Sequence, residues 1–200
     1  MAKARVILLS VGAAVGYGVV HDQITVRLCL EYFSVAHPPL FRTGSPTLLA
    51  LAWGVTATVW AGLVLGVLLA RAAQAGDMPP VPFRRLATLV LALLATMAVA
   101  ATVAGLAGYE LSRRAIVSIP WSWAVTIPPS QHHRFMAVWF AHGASYLGGL
   151  GGGAFLIFRI WDQRRRPRIL AVLPRDRLAV GRTALLLAAL ALAAWWRFRR

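Results

Sequence analysis

Charge is scarce in this chain, and acid is scarcer. Charged residues make up 14% of the 200, and six Asp and Glu stand against 21 Lys and Arg. With 59% hydrophobic residues and a mean hydropathy of +0.67, this composition excludes an ordinary soluble globular domain. Cysteine is nearly absent: Cys29 stands alone, so no intrachain disulfide can form and no CxxC motif exists. Lysine is represented by Lys3 and the other basic residues are Arg, a bias that a GC-rich genome produces by itself. The formal charge of +15 is therefore weak evidence for nucleic acid, which is not expected as a partner. A Walker-type phosphate loop and a serine nucleophile elbow are missing as well, which removes the common nucleotide-binding and acyl-transfer machineries.

Long apolar sequence fills the space that charge leaves. Runs at 6–20, 47–70, 86–109 and 135–160 approach or exceed the roughly 20 helical residues that a bilayer core requires, and a fifth run at 178–196 is broken by Arg182. The expected fold class is an all-α integral membrane helical bundle of four or five transmembrane helices. One transmembrane domain is expected over 1–200, with spans at about 5–26, 47–71, 84–110, 134–160 and a possible fifth at 178–196. The N-terminus, Met1 to Gly18, has the charged start and apolar core of a signal peptide. No small-x-small cleavage site precedes polar sequence, so an uncleaved first helix is expected.

Basic residues set the orientation. With the N-terminus cytoplasmic, 13 Lys and Arg fall on the inner side and five on the outer, as the positive-inside rule requires. A spanning fifth helix would add Arg197, Arg199 and Arg200 to the outer side. A tail lying on the inner leaflet, with Trp195 and Trp196 at the headgroups, is the alternative. The segment Gly76 to Pro82 holds three prolines and forms a short connector. Ile119 to Arg134, with Trp121, Trp123 and three prolines, forms an outer interfacial loop. The inner Arg cluster from Asp162 to Arg168 is expected to face anionic lipid.

Given this topology, the polar residues gather at one end. His21, His37, His132, His133 and His142 all belong to the outer half, together with Asp22, Gln23, Glu31 and Glu110; the inner half has no histidine. By helical rise, His21 lies roughly 24 Å from Arg5 and His142 roughly 12 Å below Arg134, which puts His21 some 6 to 9 Å nearer the surface. The sequence from Asp22 to Tyr32 fits a helix, with Arg27 and Glu31 as an i, i+4 pair, better than an unpartnered strand. Pro38 then turns His37 away from helical geometry. Around His142 the glycine pairs Gly148/Gly152 and Gly149/Gly153 provide either close helix packing or space for a cofactor or lipid.

Four functional readings use these residues. A metal ion, zinc or iron, would draw ligands from His21, Glu31, His37, His133 and His142, although no HxxxH, HExxH or ExxH spacing exists. Haem would need His21 and His142 as facing ligands. A proton or solute relay would run through Asp22, Glu31, Glu110 and a histidine. No span has an internal proline, so the broken helices of a transporter are not expected. The leading expectation is an accessory or binding subunit whose outer loops meet a protein partner; the metal- or haem-dependent membrane enzyme is the alternative. Convergence of the side chains discriminates them, because a ligand site needs its donors about 2 to 2.3 Å from one ion.

The order HDQ at 21–23, EYF at 31–33 and HPP at 37–39, with SPTLLALAWG at 45–54, resembles an uncharacterised group of bacterial multipass membrane proteins. The resemblance covers about the first third of the chain. It implies a bacterial inner membrane and carries no assigned activity or catalytic residue.

Overall fold

The computed structural model describes residues 2–39, 41–76 and 78–165. The expected span at 178–196 and most of the inner Arg cluster lie outside the described residues. Residues 1–164 group by their contacts as one compact unit, and everything below concerns it. Among the described residues the regular structure is helical. The first helix, α1, runs Ala2–Leu28, and a short α2, Leu30–Ser34, follows after a break at Cys29. Next come α3 (Pro46–Thr56), α4 (Val59–Ala72), α5 (Phe83–Arg113), the short α6 (Trp121–Ala124) and α7 (His132–Arg165).

Three segments are long and apolar enough to cross a membrane: Lys3–Leu28, Pro46–Ala72 and Phe83–Arg113. Each extends its expected span by a few residues at one or both ends. The fourth expected span, 134–160, falls within the 34-residue α7, whose glycine-rich middle is less apolar than the other three. Leu8, Leu91, Leu106 and Phe155 point outward, as helices surrounded by hydrocarbon require. This is an integral membrane protein.

Local chemistry sets the helix ends. Ser45 caps α3 by accepting from Leu48 N at 3.4 Å, with Pro46 in the first turn where its missing N–H costs nothing. The expected Arg27–Glu31 pair does not form. Arg27 instead donates to Gln23 Oε1 (2.6 Å) and Thr47 Oγ1 (3.1 Å), because the break at Cys29 ends the i, i+4 register before Glu31. Glu31 accepts from Cys29 Sγ at 3.4 Å. Burial pushes the Cys29 thiol up to about 12, so it offers no thiolate at neutral pH.

The second span is broken without a proline. Between α3 and α4 the backbone tightens, with Thr58 N bonding to Val55 O at 3.2 Å, and Thr58 Oγ1 donates to Gly54 O at 2.6 Å. A threonine hydroxyl that takes the carbonyl four residues back bends a helix. α1 crosses at this point: a Cβ on Gly54 would lie 2.6 Å from Val19 Cα, and one on Gly18 would lie 2.6 Å from Gly54 O. The expectation of unbroken spans is corrected here, because it considered proline alone.

Two apolar cores lie at opposite ends of the bundle. One joins Val26, Phe33, Ala50, Ile119, Ile127, Phe135 and Val138; the other joins Val6, Leu69, Leu86, Val90 and Ile160. At the second end Arg164 is 6% exposed and donates to the carbonyls of Ala75 (2.7 Å), Met78 (2.6 Å) and Pro79 (2.5 Å). That member of the Arg cluster therefore clamps the α4–α5 connector instead of facing lipid. Arg164→Met is expected to cost about 3 kcal/mol, since three carbonyls lose a charged donor at once. Limited proteolysis should cut 74–82 faster in this variant, whereas exposed Arg159→Met should leave the cleavage rate unchanged.

Candidate metal centre

The seventh residue before the end of α1 is His21, followed by Asp22 and, one turn on, Thr25. Thr25 Oγ1 donates to His21 O at 3.0 Å, which fixes its hydroxyl beside the helix. Across the bundle, α7 supplies His142, whose Nε2 lies 3.1 Å from Thr25 Oγ1 and 3.7 Å from Asp22 Oδ1. The His21 and His142 rings meet edge to face, with centroids 4.6 Å apart. One donor atom from each of His21, Asp22 and His142 lies within 4.8 Å of the other two.

The two imidazoles therefore lie no more than 4.6 Å apart in depth, which corrects the expected offset of 6 to 9 Å. Depth had been counted from Arg5 and Arg134 as if both marked the hydrocarbon boundary. In fact α1 continues beyond His21 to Leu28, while α7 begins at His132, ten residues before His142. Each histidine thus sits roughly 10 to 15 Å inside the end of its own helix.

The site is buried and its polarity is unbalanced. Asp22 and His142 are each 5% exposed, and among the described residues no Lys or Arg pairs with Asp22. His21 Nε2 is buried with no hydrogen-bonding partner. Leaving the His21 nitrogen without a partner costs on the order of a few kcal/mol, and a carboxylate at this depth needs a positive partner to stay ionised. A divalent cation would satisfy both, because it becomes the largest local charge and takes the free lone pairs.

Geometry is consistent with such an ion. Three donors about 2.1 Å from a tetrahedral centre stand roughly 3.4 Å apart, so the 3.7 Å between His142 and Asp22 needs almost no adjustment. All three donors lie within 4.8 Å of one another, so the widest pair would have to draw together by about 1.4 Å at most around an ion. With its proton on the His21 carbonyl, Thr25 Oγ1 accepts from His142 Nε2–H. An ion at Nε2 would replace that proton.

Aromatic side chains pack around the site. Tyr32 and Phe33 of α2 place their rings 4.7 and 5.6 Å from His142, and Tyr17 stacks on His21 at 5.7 Å. Burial raises the Tyr32 hydroxyl above its usual range, so it stays neutral. One turn deeper, Tyr17 Oη and Ser145 Oγ lie 2.9 Å apart and tie α1 to α7. A haem plane has no room between rings in edge contact at 4.6 Å, so bis-imidazole ligation by His21 and His142 does not fit.

The remaining expected ligands do not join the group. His37 donates from Nδ1 to Tyr32 O (2.7 Å) and stacks on Phe33, so it packs with the same aromatic group. His133 Nδ1 bonds with Ser112 Oγ at 3.0 Å beside Tyr109, and His132 donates from Nε2 to Ile127 O at 2.9 Å. Glu31 holds Cys29, Gln23 donates to Thr47 O (3.1 Å), and Glu110 pairs with Arg113 and Arg114. The carboxylate of the centre is thus Asp22, which the sequence had placed among general polar residues, and not Glu31. Thr25, Tyr17 and Ser145 were not singled out. Their signal was present in the spacing, since Thr25 follows His21 by four residues and Ser145 follows His142 by three, which puts each pair on one helix face.

Of the two readings of the glycine pairs, close helix packing is the one the structure shows. A Cβ on Gly148 or Gly149 would meet Met97, and one on Gly152 would meet Leu93, so the face packs closely. Gly149 and Gly153 also line a groove that runs from the centre into the bundle.

Fold and site together define an all-α integral membrane protein with a buried His–Asp–His centre among aromatic side chains. No family model matches the chain, and neither a curated protein nor a solved structure shows significant similarity to it.

Proposed function

We propose that the protein is a metal-dependent membrane enzyme in which His21, Asp22 and His142 hold one transition-metal ion, zinc or iron, with a coordination position left open. The observation that carries this reading is the convergence of three donors within 4.8 Å, one of them on a helix more than 100 residues distant in sequence. Two imidazoles and one carboxylate suit either metal, and three protein ligands leave room for water or substrate. Such an ion acts as a Lewis acid or lowers the pKa of a bound water toward about 7. The chain would cross a bacterial inner membrane four or five times with its N-terminus cytoplasmic, which is supported by the 13 to five distribution of basic residues.

A second reading is an accessory subunit whose loops bind a protein partner. It is favoured by Ile116, Trp121 and Val125, which are 65, 82 and 64% exposed on the segment between α5 and α7. Elemental analysis and an absorption spectrum of the detergent-purified chain separate the two. About one zinc or iron per chain that survives dialysis is the expected result. Folded, monodisperse protein without metal, and unable to acquire it on addition of Zn²⁺ or Fe²⁺, would overturn the first reading in favour of the second.

A further inference from the structure

The space between the two apolar cores is a groove, and one end of it is the His–Asp–His centre. His21, Asp22, His142 and Tyr17 line its polar end. From there it runs past Ala14, Met97 and Gly149 to Leu69, Leu156 and Ile157. Along α1 from Asp22 to Ser10, and along α7 from His142 to Ile157, it extends roughly 18 to 22 Å by helical rise. One leaflet of hydrocarbon is about 15 Å deep, half of a bilayer core. The cavity volume of the groove is about 140 Å³.

Three features indicate the occupant. The walls are almost wholly apolar except at the centre, so the occupant has one polar end and a long apolar remainder. Trp60, Tyr146 and Leu150 line the groove and are also exposed, so it opens sideways between α4 and α7, at a depth where hydrocarbon surrounds the chain. The wall beside α7 is made of flexible side-chain ends: a Cβ on Gly149 would meet Met97 Cε at 3.1 Å and one on Gly153 would meet Leu65 Cδ1 at 2.9 Å, and both of those side chains line the groove and can shift. A soluble polar substrate would gain nothing from such a passage, whereas a chain already in the bilayer enters without leaving hydrocarbon.

We infer that the groove takes the single long chain of an amphiphile drawn from the bilayer and delivers its oxygen-bearing head to His21, Asp22 and His142. This inference rests on the metal-centre reading for the role of the head, and on the groove alone for the chain. The head lies at the end where α1 finishes, so the amphiphile keeps the orientation it has in the adjacent leaflet. Ala57 and Thr58, at the break between α3 and α4, also line the groove.

The test uses the full-length protein in phosphatidylcholine vesicles with a trace of palmitate carrying a diazirine near its methyl end. After irradiation, saturable labelling is expected at Leu93, Leu94, Leu156 and Ile157, displaced by excess palmitate and not by acetate. Leu94→Trp, which fills the groove, should lower this labelling by at least about tenfold. Leu91→Trp, on the lipid-facing side of the same helix, should leave it unchanged. Labelling spread evenly over exposed Leu91 and Phe155, and not displaced by palmitate, would overturn the inference. If Leu94→Trp does not fold, competition by palmitate against acetate decides alone. Metal content is measured on the same preparations: displaceable labelling without metal sinks the metal centre and leaves the groove, and metal without displaceable labelling does the reverse.

Discussion

Gly54→Val is expected to cost about 3 kcal/mol or more and to lower the thermal midpoint in detergent by roughly 10 °C. A Cβ there would lie 2.6 Å from Val19 Cα and 2.7 Å from Val19 N, so the clash is with backbone that no rotamer change relieves. α1 and α3 would have to separate at their crossing, and the hydrogen bond from Thr58 to Gly54 O would be lost with the helix break it maintains. Gly62 and Gly66 continue the same close seam against Val11 and Ser10. The control is Gly12→Ala, whose Cβ meets nothing within 4 Å and which removes a helix-weakening glycine. Thermal unfolding followed by circular dichroism should separate the two variants clearly. A Gly54→Val protein as stable as wild type would show that α1 and α3 do not approach as described.

Removing a ligand has the second large effect. His142→Ala and Asp22→Asn are each expected to weaken metal binding at least about 100-fold, beyond the 10- to 100-fold that loss of a supporting residue produces. Asp22→Asn is the stricter variant, because it keeps shape and hydrogen bonding while deleting the one buried carboxylate of the centre. Thr25→Val should not weaken metal binding, since the bond that Thr25 makes to His142 Nε2 is the one an ion there would replace. His37→Ala and His133→Ala should retain full metal, because both rings are occupied elsewhere. Affinity should also decline as pH falls, since both imidazoles and the carboxylate must give up their protons to bind. Competition titration with a chromophoric chelator at several pH values reads all of this. Equal affinity in wild type and Asp22→Asn would remove the centre from consideration.

The fold was largely legible from one-dimensional signals. Apolar length fixed Lys3–Leu28, Pro46–Ala72 and Phe83–Arg113 to within a few residues, because hydrocarbon penalises every unsatisfied backbone group and leaves helix as the available solution. Prolines at 79, 80 and 82 marked the connector before α5 for the same local reason. The break at Ala57–Thr58 was not legible, because a threonine bends a helix only where a neighbour needs the bend. That neighbour is Gly18 of α1.

The centre divides in the same way. The residue types were visible: an imidazole inside a helix at His142, and His21 beside Asp22 at the end of an apolar run. Which of five histidines and six acids would meet was not. That depends on how far each helix is rotated and how far it extends past its apolar run, and neither follows from hydropathy. Counting depth from the flanking arginines misplaced His21 against His142, and because nothing in the sequence marks which acid is buried, Glu31 was counted among the ligands and Asp22 was not. The amino-acid sequence by itself determined a helical membrane chain with its imidazoles at one end, since burial of apolar length is a property of each segment alone. Tertiary structure alone decided that Asp22, His21 and His142 share one buried space at the head of an apolar groove, because that meeting is set by the rotation and offset of α1 against α7.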